Sequence, residues 1–318
     1  MTLNILVTGA GGFVGDALCR RLMASGYRVT GQFRNTPPKM TWMETRTTGD
    51  LTGTSDFGPL VEGIDVVVHL AARVHMMRDT AADPDAAFLK ANADVTQRLA
   101  QAAAENGIGR FVFLSSVKVN GEATAAEPFT ETDLPAPQDA YGRSKLVAER
   151  ALAEISANTQ LPVTTLRIPL VYGPGVRANF ASLMALCDTL LPMPLTGITQ
   201  NRRSLLFLDN LTHAIEYIVS AGGRSSGTFL LSDGEDLSTA DLVQRLRRCL
   251  NRSACGIPVP VRAIASLAAA AGKRAAADRL CGSLQVNSSL FCETFGWTPP
   301  FSADQGLAAT VARHRAVG

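Results

Sequence analysis

Three residues in two short stretches have the types needed to act on a single carbonyl or alcohol carbon. Ser116 lies in LSSVKVNGE, where an apolar run breaks into a polar one, and Tyr141 and Lys145 lie in YGRSK. Spaced by four, Tyr141 and Lys145 share one face of a helix. A free phenol titrates near pH ~10, and an ammonium held beside it favours the phenolate, which gives an acid or base usable nearer neutrality. Hydride arriving at a carbonyl carbon leaves negative charge developing on oxygen. A proton donor and a second hydrogen-bond donor must be aimed there, and Ser116 supplies the second. By itself a YxxxK spacing recurs by chance, because helices are rich in lysine.

The pair gains weight from TGAGGFVG near the N-terminus, which places Gly9, Gly12 and Gly15 between a strand pattern and a helix pattern. That is the context a dinucleotide site requires. Gly9 permits a tight turn, Gly12 lets backbone approach a pyrophosphate, and Gly15 lets the helix pack close to the sheet. With Phe13 and Val14 the helix opens, and its free N–H groups face the phosphates. At the end of the second strand an acid would bind the ribose hydroxyls of NAD, but the sequence reads VTGQFRN, with Phe33 in that place and Arg34 next. This favours a 2′-phosphate and so NADP(H), with NAD(H) the alternative; a lone arginine is otherwise a solvated charge. Asp50 and Leu51 in TGDL fall where the adenine would lie, or else Asp50 caps the next turn.

The elements that must position these residues follow from periodicity. Strands are predicted near Asn4 to Thr8, Arg28 to Phe33, Val66 to Leu70, Arg110 to Leu114 and Val163 to Arg167, with the continuous apolar content of strands covered on both faces. Helices are predicted over Phe13 to Ala24, Ala86 to Glu105 and Ala140 to Ile155, the last capped by Asp139. The alternation describes an α/β fold, a doubly wound parallel sheet. Residues 1–172 form the expected dinucleotide-binding domain and 173–318 a smaller region for substrate. Segments near 204–210 and 227–234 are expected to return to the first domain.

Composition excludes other classes. The 318 residues carry 30 basic and 28 acidic side chains, well mixed, for a net charge of +2. No basic stripe suits nucleic acid. The first residues pass directly into a strand pattern without a basic-then-apolar leader, so a cytoplasmic location is expected. The apolar run Ile264 to Gly272, bracketed by Arg262 and Lys273, is too short for a membrane span. Six cysteines and four histidines show no metal-ligand spacing, so buried reduced thiols and no metal are expected. His69 in DVVVHLAA reads as a satisfied core histidine rather than a ligand.

Taken together, TGAGGFVG, HLAA, SSVKVNG and YGRSK resemble the extended short-chain dehydrogenase/reductase family, the NAD-dependent epimerase/dehydratase group that acts on nucleotide sugars. The likeness covers nearly the whole chain. It implies a Rossmann-type sheet, a UDP-sugar substrate and a catalytic set of Ser116, Tyr141 and Lys145, with Lys145 also holding the nicotinamide ribose. It further implies that Leu70, Ala71, Ala72, Asn92 and Pro169 contact the cofactor. His75, Val117, Lys118, Asn179, Arg202 and Arg279 would contact the substrate, Asn179 and Arg202 gripping its diphosphate with Arg279 as a second arginine; surface charge is the alternative for each arginine and for Lys118. A homodimer through the helices around Ala86 to Glu105 and Ala140 to Ile155 is implied as well.

Departures from the family pattern narrow the expected activity. In the 4,6-dehydratases an Asp-Glu pair follows the serine or threonine, whereas Val117 and Lys118 stand here, so the elimination lacks its acid and base. The form SSVKVNGE is similar to that of bacterial surface-polysaccharide enzymes, O-antigen synthesis among them, that reduce a UDP-4-keto-6-deoxy-N-acetylhexosamine at C4. The expected activity is therefore an NADPH-dependent 4-keto reductase. The alternatives are a UDP-glucose or UDP-N-acetylglucosamine 4-epimerase, and a non-catalytic NADP-sensing regulator, which commonly lacks the tyrosine and lysine present here.

Overall fold

The computed structural model describes residues 2–35, 37, 43–74, 83–221, 226–254, 256–270, 272 and 274–317. Among them the strands are β1 Asn4–Thr8, β2 Arg28–Phe33, β3 Glu44–Thr47, β4 Val66–His69, β5 Arg110–Ser116, β6 Val163–Ile168, β7 Leu170–Tyr172, β8 Arg203–Phe207, β9 Gly227–Leu230 and β10 Asp236–Leu237. Seven of these form a parallel sheet in the order β3-β2-β1-β4-β5-β6-β9. The chain leaves β1 toward β2 and β3, then returns to β4 on the other side of β1. Their C-terminal ends therefore border the crevice where connections diverge, the place such sheets bind ligands.

Period-two side-chain direction explains why β1, β4 and β5 read as unbroken apolar runs. Ile5 and Val7 enter one core with Val68, Val112 and Leu166, while Leu6 enters the opposite core with Val67, Phe111 and Phe113. The flanking helices are α1 Phe13–Ala24, α2 Gly58–Val61, α3 Pro84–Leu89, α4 Val95–Glu105, α5 Ala140–Asn158, α6 Ala178–Cys187, α7 Leu208–Ser220 and α8 Thr239–Cys249. Leu18 and Leu22 of α1 pack with Leu211, Ile215 and Ile218 of α7 on the first face; Leu99 of α4 and Leu152 of α5 cover the second. Burying each such side chain contributes about 1.5–3 kcal/mol.

The smaller sheet, in the order β10-β8-β7, belongs to a third core of Tyr172, Phe180, Phe207, Leu246 and Leu307. Gly227–Leu230 is the last strand of the large sheet, whereas the strand at 203–207 pairs in the small one and α7 after it packs on α1. The expected single helix from Ala86 to Glu105 is broken by a π-helical turn at Lys90–Asp94. The buried Asn92 side chain in that turn binds the backbone of Arg73 and the Ser144 hydroxyl, which fixes the distortion. Asp139 caps α5 as expected, its Oδ1 accepting from the Gly142 N–H at 2.7 Å.

Candidate active site

At the crevice the chain turns sharply from β1 into α1. Gly9 adopts φ +67° and lies so close to the β4 exit that a Cβ there would sit 3.0 Å from the Ala71 backbone. A Cβ on Gly15 would sit 2.2 Å from the Gly9 carbonyl oxygen. These two glycines are required by contact, and the start of α1 is left facing a cavity of about 1000 Å³.

Behind the turn, one hydroxyl organises two strands. Thr8 Oγ1 accepts from the N–H groups of Leu70 and Ala71, both at 3.1 Å, so its own proton goes to His69 Nδ1 at 2.7 Å. His69 Nε2–H then donates to Thr96 Oγ1, which donates to the Asn92 carbonyl. The imidazole is neutral, and burial, with help from Lys145, pushes its pKa down to about 3. As expected, His69 is a satisfied core residue.

The cavity is lined by Gly9, Gly12, Phe13, Val14, Gly15, Arg34, Asp50, Leu51, Leu70, Ala71, Ala72, Tyr141, Lys145 and Pro169. Of the residues expected to touch the dinucleotide, Asn92 is the one outside this lining; it acts through Arg73 and Ser144 instead. Sequence reasoning passed over Gln32, which receives the Gly9 N–H on Oε1 at 3.1 Å and donates to Thr48 Oγ1, tying the glycine turn to the end of β2. It also passed over Lys90 and Ala91, which the π-turn brings to the wall.

At the β2 end of the cavity Arg34 is exposed and pairs with Asp50 at 3.6 Å. So exposed a pair contributes little stability and leaves the guanidinium available. Asp50 accepts from the Thr52 N–H and hydroxyl, capping the turn at Leu51–Gly53; these bonds, with Arg34 a lesser cause, hold its carboxyl below the usual range.

At the other end Ser116, Tyr141 and Lys145 converge. The Tyr141 phenol shares the cavity wall with Ser116; burial and the Asp139 charge together push the phenol up to about 12, against the Ser116 side chain, which lowers its pKa. Lys145 Nζ donates to the Leu114 carbonyl at 2.8 Å, lies 4.4 Å from the centre of the Phe113 ring and 5.9 Å from that of Tyr141. Burial pushes its pKa down to about 7, and the Glu149 carboxylate counters this. Glu149 is itself held in a buried network, accepting two-pronged from Arg167 and singly from Ser115, while Arg167 also donates to Asn120 Oδ1.

The expected substrate residues are dispersed. Val117 is buried in a small core with Leu230, Leu284 and Val286. Lys118 Nζ is held by Glu122 at 2.8 Å and Asp139 at 2.5 Å. Asn179 is exposed at the start of α6. Arg202 is exposed and donates to the Thr199 and Asn201 carbonyls, so its head is turned to the backbone. Its neighbour Arg203, overlooked in the sequence, is partly buried; burial and the charge of Arg279 lower its pKa, and Glu122 acts against them. Strand β8 starts at Arg203, so Arg202 lies just outside it. His75 lies outside the described residues.

Among the described residues no group of three His, Cys, Asp or Glu side chains could hold a metal, and no helix is long and apolar enough to cross a membrane. The described cysteines are free thiols; burial pushes Cys19 up to about 12 and Cys187 up to about 11.

Residues 5–230 match the NAD dependent epimerase/dehydratase family. The chain is 39% identical to the UDP-glucose 4-epimerase of Vibrio cholerae, over 98% of its own length and 95% of that protein. It is 26% identical to the N-acetyl-alpha-D-glucosaminyl-diphospho-ditrans,octacis-undecaprenol 4-epimerase of Escherichia coli O157:H7, over 98% and 95% of the two chains. Among solved structures, MoeE5 in complex with UDP-glucuronic acid and NAD superposes with a TM-score of 0.77 at 25% identity, covering 99% of this chain and 100% of that one.

Proposed function

Because the chain belongs to the NAD dependent epimerase/dehydratase family, we propose that it moves hydride between C4 of a UDP-linked sugar and a nicotinamide dinucleotide. The observation that carries this reading is the meeting of the Ser116 hydroxyl, the Tyr141 phenol and Lys145 at one end of a cavity that runs past the glycine turn to Arg34. A bound nicotinamide supplies the hydride donor or acceptor, and its oxidised, cationic ring lowers the phenol's pKa from the value burial sets. Tyr141 takes the proton from the C4 hydroxyl in oxidation and returns it in reduction. Ser116 donates a hydrogen bond to the same oxygen, and Lys145 keeps the phenol and the ribose in register. We add Arg203 to Arg202 and Arg279 as a candidate for the substrate's diphosphate, since the charges of Arg203 and Arg279 act on each other; like Arg202, Arg203 donates to a backbone carbonyl, that of Gly282 at 3.0 Å.

Net epimerisation at C4 is the form supported by the likeness to the Vibrio cholerae protein. Net reduction of a UDP-4-keto-6-deoxy-N-acetylhexosamine is the second reading, and Arg34 favours it. An exposed cation next to the place where an acid would hold the ribose suits NADPH, the exchanging reductant such a step consumes. The test mixes purified protein with NADPH and the 4-keto sugar while nicotinamide absorbance is followed, and in parallel offers UDP-glucose and UDP-N-acetylglucosamine without reductant. Stoichiometric NADPH loss supports reduction; isomer formation without net cofactor change supports epimerisation; neither would sink both. Pairing of two chains through α4 and α5 belongs to the same reading and is checked by sedimentation equilibrium.

A further inference from the structure

We propose that Lys118 is a positioning residue that neutralises Asp139 at the start of the catalytic helix and thereby sets the pH range in which Tyr141 exchanges its proton. The proposal rests on the reading of Tyr141 as the acid and base. The geometry ties three elements at one point. Lys118 lies on the turn Val117–Val119 that follows Ser116, and its Nζ meets Asp139 Oδ2 at 2.5 Å and Glu122 Oε1 at 2.8 Å. Asp139, two residues before the catalytic phenol, meanwhile caps α5 by accepting the Gly142 N–H on Oδ1, and the helix start touches the turn, since a Cβ on Gly142 would lie 2.8 Å from the Lys118 carbonyl oxygen. All three charged side chains are about one-third exposed or less, at 28%, 34% and 28% for Lys118, Asp139 and Glu122, so solvent screens them incompletely.

The consequence reaches the phenol because Asp139 is the carboxylate whose charge disfavours tyrosinate, adding to burial. The other groups around Tyr141 are Ser116 from β5, Lys145 along its own helix, and the Phe88 ring of α3, over which Arg73 lies. Arg143, also on α5, is paired with Asp85 of α3 at 2.7 Å. Burial disfavours the Lys118 ammonium, but its bonds to Asp139 and Glu122 outweigh this and keep it protonated beyond the ordinary lysine range. A cation fixed on Asp139 therefore offsets the field that Asp139 exerts on Tyr141, throughout the pH range of activity. At this position Lys118 also stands where a dehydratase would carry one of its elimination residues, so the same site would serve electrostatics rather than elimination.

The test titrates tyrosinate absorbance of the full chain with saturating NAD⁺, taking the Tyr141→Phe protein as the blank that isolates Tyr141. Alongside it runs the pH profile of kcat on whichever of UDP-glucose and the UDP-4-keto sugar is turned over. Lys118→Met is expected to raise the Tyr141 midpoint by about one unit and to move the kinetic limb with it. Lys118→Arg restores the wild-type midpoint. Asp139→Asn, which keeps a capping side chain, lowers it, and Lys118→Met/Asp139→Asn returns near wild type. An unmoved midpoint in Lys118→Met, or a raised KM with an unmoved pH profile, overturns the proposal and makes Lys118 a substrate contact. Turnover persisting in Tyr141→Phe would instead refute the catalytic reading, and the absorbance titration still reports on Lys118 in that case.

Discussion

His69 shows how a residue capable of chemistry is taken out of it. Thr8 already accepts two backbone N–H groups, so its proton fixes the imidazole tautomer, and the ring is left neutral in a closed chain of donors. Its pKa of about 3 lies below the ordinary value of 6.5 that the unfolded chain shows. Between these values the unfolded chain binds the extra proton, so stability is complete above the upper one and falls as pH drops toward the lower, by up to about 1.4 kcal/mol per pH unit. Urea unfolding at several pH values across that window should show this slope, and His69→Gln should flatten it; equal slopes would contradict the assignment. That His69 is a satisfied core residue was legible from DVVVHLAA, because a polar residue ending a fully apolar strand must find partners inside. The partial burial of Arg203 beside an exposed Arg202 was not. It depends on where β8 begins pairing with β7 and β10, and a shift of one residue reverses every side chain.

At the scale of elements, the periodic strands and α1 were legible because each buries a long, regular apolar pattern. The π-turn at Lys90–Asp94 was not, since Asn92 reaches a backbone segment nineteen residues away and a hydroxyl on another helix. The same holds for the joint between α5 and β6. Glu149, one turn beyond Lys145, meets Arg167 at 2.7 Å with both side chains under a tenth exposed. Arg167→Met would leave a buried carboxylate without its partner, and we expect a loss of about 3–5 kcal/mol in denaturant unfolding. Glu149→Leu/Arg167→Met should recover much of it, because desolvation is then no longer opposed. A single-variant loss of about 1 kcal/mol or less, the range of surface pairs, would mean the joint is not a buried pair in solution.

Across the whole molecule, the cavity spans the crevice between β1 and β4, from Arg34 at the β2 edge to Tyr141 on α5, so one dinucleotide would touch both halves of the sheet. A ligand that binds only the folded chain stabilises it by about 2.7 kcal/mol at a hundred times its Kd. Thermal unfolding should therefore rise with dinucleotide, more with NADPH than with NADH, and Arg34→Ala should abolish the difference between them. Equal shifts in the unsubstituted protein would remove Arg34 from the cofactor's phosphate. The fold that aligns these parts was readable from alternating strands and helices, while the β8 region and the helix Arg274–Cys281, which we propose face the substrate, were not, because they lack a period. In the proposed reaction Tyr141 carries the proton at C4. This step is tested most directly by turnover of the UDP-sugar in Tyr141→Phe, measured beside dinucleotide binding. A fall of at least about 100-fold in kcat with binding nearly unchanged is expected; turnover close to that of the unsubstituted protein would remove Tyr141 from the proton transfer.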